Sequence, residues 1–134
     1  MGQDMQVIFR TIIAEAALVS AFFVHIQVAA AQDISLFCAA FKEAGAADLD
    51  LSSKEAWEKR LANTAKLVTA APTEQQENAQ VYLKLVKDRL QLVAQYNYVA
   101  VPQLPSAARN QFIAEHQPQQ AQANLLINYA NKFC

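Results

Sequence analysis

Apolar side chains recur every three or four positions along most of residues 34–134, with amide and charged side chains between them. This spacing is typical of helices that place one face against a core. The pattern predicts five helical segments, at about residues 34–46, 52–71, 73–97, 106–115 and 118–134. Together they would form an all-α bundle of four to five helices, preceded by an N-terminal hydrophobic helix.

Three helix starts are predicted from side chains that can accept hydrogen bonds from free backbone N–H groups. Ser52 is followed three residues later by Glu55, and Thr73 is followed in the same way by Gln76. Both pairs match the capping box, in which two side chains satisfy backbone donors at the start of a helix. Ser106 is predicted to cap the fourth helix.

The same spacing predicts which residues of each helix face the core. Pro118 would lie in the first turn of the fifth helix, where its fixed backbone angle suits helical geometry. The residues predicted to point inward are Trp57, Leu61, Ala65 and Val68 in the second helix, Ala79, Leu83, Val86, Leu90 and Val93 in the third, Phe112 and Ile113 in the fourth, and Leu125, Leu126, Tyr129 and Phe133 in the fifth.

Residues 11–31 form an apolar stretch of 21 residues that resembles an export signal. Arg10 precedes the stretch, and Ala29 and Ala31 near its end match the small-residue pattern of a signal-peptidase site. Cleavage there would make Gln32 the first residue of the mature protein. The sequence therefore predicts a signal peptide in residues 1–31 and a helical domain in residues 32–134.

An uncleaved signal anchor is an alternative for the same segment, because 21 residues are enough to span a bilayer. Glu15 and His25 interrupt the apolar run, and Asp4 offsets the positive charge that a signal peptide carries before it. A third alternative is an ordinary buried helix. It would require Glu15 and His25 to be satisfied inside a core, and their separation does not place them on one polar face.

Charge and composition exclude several classes of partner and fold. Of the 11 Lys and Arg residues, only Arg10 lies before residue 32, and of the 12 Asp and Glu residues, only Asp4 and Glu15 do. Residues 32–134 therefore carry ten charges of each sign. A neutral domain without a basic cluster is not expected to bind nucleic acid. The two glycines, Gly2 and Gly45, are too few for a fold built on tight β-turns.

The two cysteines, Cys38 and Cys134, lie near the two ends of the predicted domain. An even number of cysteines in an exported chain predicts a disulfide, and two cysteines allow one intramolecular pairing. Free buried thiols and a redox or metal-binding pair are the alternatives. Neither cysteine has a CxxC partner or a nearby histidine, so we predict a structural disulfide, Cys38–Cys134.

Candidate ligand-contacting residues are few. His116, the one histidine of residues 32–134, is interpreted as a solvated residue at the end of the fourth helix, with a haem or metal ligand as the alternative. Tyr96 and Tyr98 flank Asn97 at the end of the third helix and are interpreted as packing residues. The alternative is that both tyrosines and His116 line a small apolar pocket for haem or lipid. No cofactor is predicted.

The sequence does not predict enzymatic activity. The acidic residues are spread over helix starts and polar faces, and no two of them can be assigned as general acid and general base. The chain has no glycine-rich phosphate loop, and its cysteines and histidines do not have the spacing of metal ligands.

Several segments resemble small secreted two-cysteine helical proteins of actinomycetes. They are Cys38 with Phe41, the segments AAPTEQ at Ala70–Gln75 and YLKLVKDR at Tyr82–Arg89, the pair Leu104 and Pro105, and the ending NYANKFC at Asn128–Cys134. A subset of such proteins is similar to mycobacterial haemophore-related proteins. This chain departs from that subset in its wider cysteine spacing and its single His116, so no haem ligand is carried over. The resemblance implies an exported helical domain.

The leading hypothesis from the sequence is an exported, non-enzymatic helical protein that acts through protein contacts at or outside the cell envelope. Its protein partner is unknown. The first alternative is a binding module for a small apolar ligand such as haem or lipid. The second is a membrane-anchored accessory subunit of a larger complex, which would meet the membrane only through residues 11–31.

Overall fold

Five α-helices account for most of the residues that this computed structural model describes, which are 34–45 and 51–134. No β-strand occurs in these ranges, so the predicted all-α fold is confirmed. The predicted leader, residues 1–31, lies outside the described residues. The helices are α1 at residues 34–44, α2 at Lys54–Ala70, α3 at Gln76–Gln95, α4 at Ser106–Glu115 and α5 at Gln117–Phe133.

The predicted disulfide between Cys38 and Cys134 is present, with the two Cα atoms 5.4 Å apart and 96 positions between them in sequence. It joins the second turn of α1 to the residue that follows α5. The five-helix bundle closed by one bond is therefore confirmed. A disulfide is compatible with an oxidising, extracytoplasmic compartment, because cytosolic thiols are kept reduced.

The core near the disulfide is built from large side chains set among alanines. Phe37 of α1, Leu67 of α2 and Leu126 of α5 are all fully buried there. Alanine side chains let the helix backbones approach closely, and the large side chains fill the remaining space at interior density. The buried alanines of this cluster are Ala44, Ala71, Ala79 and Ala130.

A second cluster lies around Trp57, near the start of α2. Its ring is 1% exposed and packs with Val93 of α3 and with Leu104, which follows α3 in the chain. The indole N–H of Trp57 donates to the Leu51 carbonyl at 2.9 Å, so the one polar group of this ring is satisfied. This cluster fixes the connector between α3 and α4 to the bundle.

The central helix is α3, which approaches both α2 and α5 closely along its length. In contrast, α4 contains no fully buried residue. Its predicted inward residue Ile113 is 56% exposed, and Phe112 is only partly buried. The fourth helix therefore covers the bundle without entering its core, and this leaves space between α3 and α4. Within the described ranges, no helix has the length and apolar character needed to cross a membrane.

The predicted helix caps were partly wrong. Ser53, and not Ser52, caps α2, since its hydroxyl oxygen accepts the Ala56 N–H at 3.2 Å. The helix begins one residue later than the Ser52–Glu55 pattern indicated, and Ser52 is exposed. At the start of α4, Ser106 is the first helical residue and makes no capping hydrogen bond.

The predicted capping box of Thr73 and Gln76 was also wrong. Residues Thr73–Gln75 form a single 3₁₀ turn without a side-chain cap, and α3 begins at Gln76. The Gln76 amide instead donates to the Ala71 carbonyl at 2.6 Å and to the Val68 carbonyl at 3.2 Å. These two carbonyls end α2, so Gln76 satisfies the end of the preceding helix and holds the Pro72 turn closed.

The predicted inward faces were only partly correct. In α5, Leu126 is fully buried as predicted, but Leu125 is 56% exposed and Phe133 is 48% exposed. In α2, Thr64 is buried in place of Ala65, and its hydroxyl donates to the Arg60 carbonyl at 2.8 Å. Burial follows the side of each helix that faces α3, and the spacing of apolar residues alone does not locate that side.

Candidate functional site

Two adjoining cavities lie in the groove between α3 and α4. The larger has a volume of about 370 Å³ and the smaller of about 230 Å³. Leu92 of α3 and Phe112 of α4 line both cavities and form the wall between them. The groove exists because α4 rests on α3 through these partly buried side chains and places none of its residues in the core.

The larger cavity has mainly polar walls. Tyr96 and His116, two of the three residues that the sequence suggested as ligand-contacting, line it together. The carboxylate of Asp88 lies near one end, and Ala108 contributes a small side chain from α4. The other lining residues, apart from the shared wall, are Gln91, Gln95, Gln111 and Glu115. Such a cavity offers several hydrogen-bonding groups and the aromatic rings of Tyr96 and Phe112 to a ligand.

His116 is not the solvated residue that the sequence suggested. Its side chain is only 17% exposed and stacks on the Phe112 ring, with the ring centroids 3.9 Å apart. Its Nδ1 lies 2.8 Å from the Phe112 carbonyl oxygen, and its Nε2 lies 3.1 Å from Asp88 Oδ2. The Nδ1 contact is an N–H donated to a carbonyl, because a carbonyl oxygen can only accept. His116 thus ties the end of α4 to α3.

Asp88 is the charged partner of this contact. Burial by itself raises the pKa of Asp88, but hydrogen bonds from Lys84 and His116 outweigh it, and the pKa lies below its ordinary value. The Lys84 ammonium is 2.6 Å from Asp88 Oδ2, one helical turn away. The carboxylate therefore stays ionised at neutral pH and holds the polar end of the cavity in place.

Tyr98 does not join Tyr96 and His116 in the larger cavity. Asn97 and Tyr98 both adopt left-handed backbone angles, with φ of 56° and 55°. The Tyr98 N–H donates to the Val93 carbonyl at 2.8 Å, which closes the end of α3. Both tyrosines pack against the cluster around Trp57, but only Tyr96 also lines the larger cavity. The sequence could not indicate two successive left-handed residues without glycine.

The smaller cavity contains two arginines that the sequence analysis missed. Arg89 of α3 and Arg109 of α4 line it together with five apolar side chains. One signal for Arg89 was present, since it falls on the same helical stripe as the buried residues Val86 and Val93. No comparable signal identified Arg109, because its role depends on how α4 lies against α3.

Haem ligation by His116 does not fit this geometry. Both ring nitrogens of His116 are already in contact with oxygen atoms of Phe112 and Asp88. An iron ligand needs one free ring nitrogen, so the contact to α3 would have to break first. Among residues 34–45 and 51–134, no group of three or more His, Cys, Asp or Glu side chains is placed to hold a metal ion.

Comparison of this chain with protein-family models, with curated proteins and with solved structures finds no match.

Proposed function

We propose that this chain is an extracytoplasmic binding protein that holds a small ligand in the groove between α3 and α4. The observation that carries the proposal is the pair of adjoining cavities beneath α4, with Leu92 and Phe112 between them. Grooves between helices are common sites for small ligands, and the smaller cavity has the usual lining of apolar walls with a few polar groups.

Export is part of this proposal. The Cys38–Cys134 bond supports it, since such a bond persists in an oxidising compartment. The apolar stretch at residues 11–31 supports it as well, because it ends in the small-residue pattern of a signal-peptidase site. The N-terminal sequence of the native protein tests this part: a first residue at Gln32 is expected, and an intact Met1 would contradict cleavage.

The groove is tested by filling it. Ala108 lines the larger cavity, whereas its neighbour Ala107 is exposed on the same helix. We expect Ala108→Trp to abolish or strongly weaken binding of whatever small molecule co-purifies with the oxidised protein, because the indole would occupy the cavity. The matched control Ala107→Trp should bind as the unchanged protein does. Native mass spectrometry measures the bound fraction in each case.

Equal ligand retention by Ala108→Trp and Ala107→Trp would show that the larger cavity is not the site. A haem titration belongs to the same experiment, because haem was one ligand class suggested by the sequence. A Soret shift that requires His116 would overturn the conclusion drawn from its two occupied ring nitrogens.

A role through protein contacts is the second candidate function. The observation that favours it is an apolar hollow of about 540 Å³ beside the disulfide, with Phe41 in its wall. Leu36 and Phe133, each within two residues of a bonded cysteine, are 63% and 48% exposed. Replacing both with serine should abolish a specific cross-link between this chain and a partner protein when the intact envelope is treated with a cross-linker. Leu125→Ser, on an equally exposed apolar residue of α5, should leave the cross-link unchanged.

A membrane-anchored accessory subunit is the third function that the sequence suggested. It depends on residues 11–31, which lie outside the described residues. Alkaline extraction of membranes separates it from the two functions above. Release of the protein into the soluble fraction would contradict an anchor.

A further inference from the structure

The smaller cavity combines two positively charged side chains with apolar walls. Arg89 and Arg109 line it from two different helices, and no acidic residue is among its lining residues. In the described part of the chain, neither arginine has a carboxylate oxygen within 4 Å. Arg109 donates to the Pro102 carbonyl at 3.2 Å, and the Arg89 guanidinium lies 5.8 Å from the centre of the Phe112 ring.

Arg89 is partly buried and has no carboxylate partner in the described part of the chain. Burial lowers the pKa of the Arg89 guanidinium, and the positive charge of Arg60 lowers it further, with Tyr82 acting in the opposite direction. Removing a guanidinium from water is unfavourable unless an opposite charge or good hydrogen bonds compensate. The Phe112 ring compensates only partly, because a cation–π contact is weaker than a paired carboxylate.

The other walls of the cavity are apolar. Leu104 is 4% exposed and fixed in the cluster around Trp57, and Val101 lies in the 3₁₀ turn before it. Leu92, Phe112 and Ile113 complete the lining, and the 56% exposed Ile113 stands at the rim. Pro102 and Pro105 stiffen the connector that carries Leu104, so these walls are preformed.

We propose that this cavity is a binding site for a small carboxylate with a short apolar tail, such as a medium-chain fatty acid. The carboxylate would sit between Arg89 and Arg109, and the tail would lie against Leu104 and Phe112. This inference rests on the proposed ligand-binding function and names the ligand class. A guanidinium has the planar donor geometry that a carboxylate accepts, and a volume of about 230 Å³ is below that of sites for drug-sized ligands.

The test uses a ligand series on the oxidised full-length chain in buffer without detergent. Butanoate, hexanoate and octanoate are titrated while the backbone amide signals of Arg89, Leu92, Arg109 and Phe112 are followed by NMR. Affinity should rise about fourfold for each added methylene until the cavity is full, which is the gain expected from burying one methylene group. Octanol and octylamine have the same number of carbon atoms as octanoate without the negative charge, and they should bind at least tenfold more weakly than octanoate.

Variants test the two arginines separately. Arg89→Met keeps a long apolar stem and removes the charge, so octanoate affinity should fall at least tenfold, and Arg109→Met should act in the same direction. Lys87→Met removes an equal charge from an exposed position of the same helix and should leave the affinity within about twofold. The series on the unchanged protein remains decisive where a variant fails to fold.

Each outcome separates this inference from the proposed function. Equal binding of octanoate, octanol and octylamine at these amides would overturn the carboxylate site and leave a groove for apolar ligands. Amide signals that shift only around Tyr96, in the larger cavity, would also overturn the carboxylate site in the smaller cavity. If no member of the series binds and no small molecule co-purifies with the protein, both proposals fail.

Discussion

Single side chains fix the ends of the helices in this protein. The Ser53 hydroxyl accepts a backbone N–H at the start of α2, and the Gln76 amide donates to two carbonyls at its end. At the end of α4, His116 makes the equivalent link to Asp88. Each of these contacts satisfies backbone or charged groups that a helix end would otherwise leave to water. The helix ends are therefore more sensitive to substitution than their exposure suggests.

Adjacent serines give a sharp test of the first contact. Ser53→Ala removes the acceptor for the Ala56 N–H and should lower the free energy of unfolding by about 1 kcal/mol. Ser52→Ala changes an exposed residue that does not cap the helix and should be close to neutral. Urea denaturation of both variants measures the difference. A larger loss of stability in Ser52→Ala than in Ser53→Ala would show that Ser52 caps the helix.

The charge of Asp88 makes the free energy of unfolding depend on pH in the acid range. Its pKa in the folded protein is lowered, so its contribution is fully present above the unfolded value of about 4 and is lost as the pH falls through the folded value. Asp88→Asn should therefore be less stable than the unchanged protein at pH 7. The gap should narrow as the pH falls through the folded pKa, because a protonated aspartate resembles asparagine.

Thermal unfolding of both proteins between pH 2 and pH 7 tests the role of Asp88. Glu115→Gln removes an exposed carboxylate that is in no ion pair among residues 34–45 and 51–134, and it is the matched control. A gap between Asp88→Asn and the unchanged protein that stays constant over this range would contradict the role of Asp88.

At the scale of the helix, packing against α3 decides which residues are buried. Leu125 and Leu126 are adjacent and equally apolar, yet one is 56% exposed and the other is fully buried. Their difference comes from the side of α5 that faces α3. Among the residues of α4, none is fully buried, so this helix is held by its contacts at Phe112 and His116.

The two leucines make a matched pair. Leu126→Ala should lower the free energy of unfolding by about 2 to 5 kcal/mol, because it leaves a cavity between α5 and its neighbours. Leu125→Ala removes the same atoms from a largely solvated position and should cost less than about 0.5 kcal/mol. Equal losses in chemical denaturation would mean that α5 is rotated from the position described.

Existence and order of the helices could be predicted from the spacing of apolar residues, because that spacing reflects burial on one face. The exact rotation of each helix could not be predicted, since it depends on which side of the helix faces its neighbours, as the pair Leu125 and Leu126 shows. Tyr96 and His116 were candidates from the sequence, and they do line one cavity. Arg89 and Arg109 come together only through the placement of α4 on α3, which no local pattern encodes.

On the scale of the whole molecule, the disulfide restrains most of the described chain. Cys38 and Cys134 are separated by 96 positions, so the bond closes a loop of nearly the entire domain. In the chain-entropy model such a loop stabilises the folded state by about 4 to 5 kcal/mol, because the unfolded chain loses freedom. This is a large share of the stability of an ordinary small domain.

Replacing both cysteines with serine should therefore lower the free energy of unfolding by about 4 kcal/mol. Reduction of the unchanged protein should have a similar effect, and the double variant should not respond to reductant. Urea denaturation with and without reductant measures both. A loss below about 1 kcal/mol would show that the unfolded chain is already compact without the bond.

The position of this bond also determines how the molecule would carry tension. The Cα atoms of Cys38 and Cys134 are 5.4 Å apart. A pull applied between the residues before Cys38 and Cys134 itself would pass through the sulfur atoms and bypass α2, α3, α4 and α5. The groove between α3 and α4 would keep its shape under that load, so the protein would bear tension at these two points while its cavities remain intact.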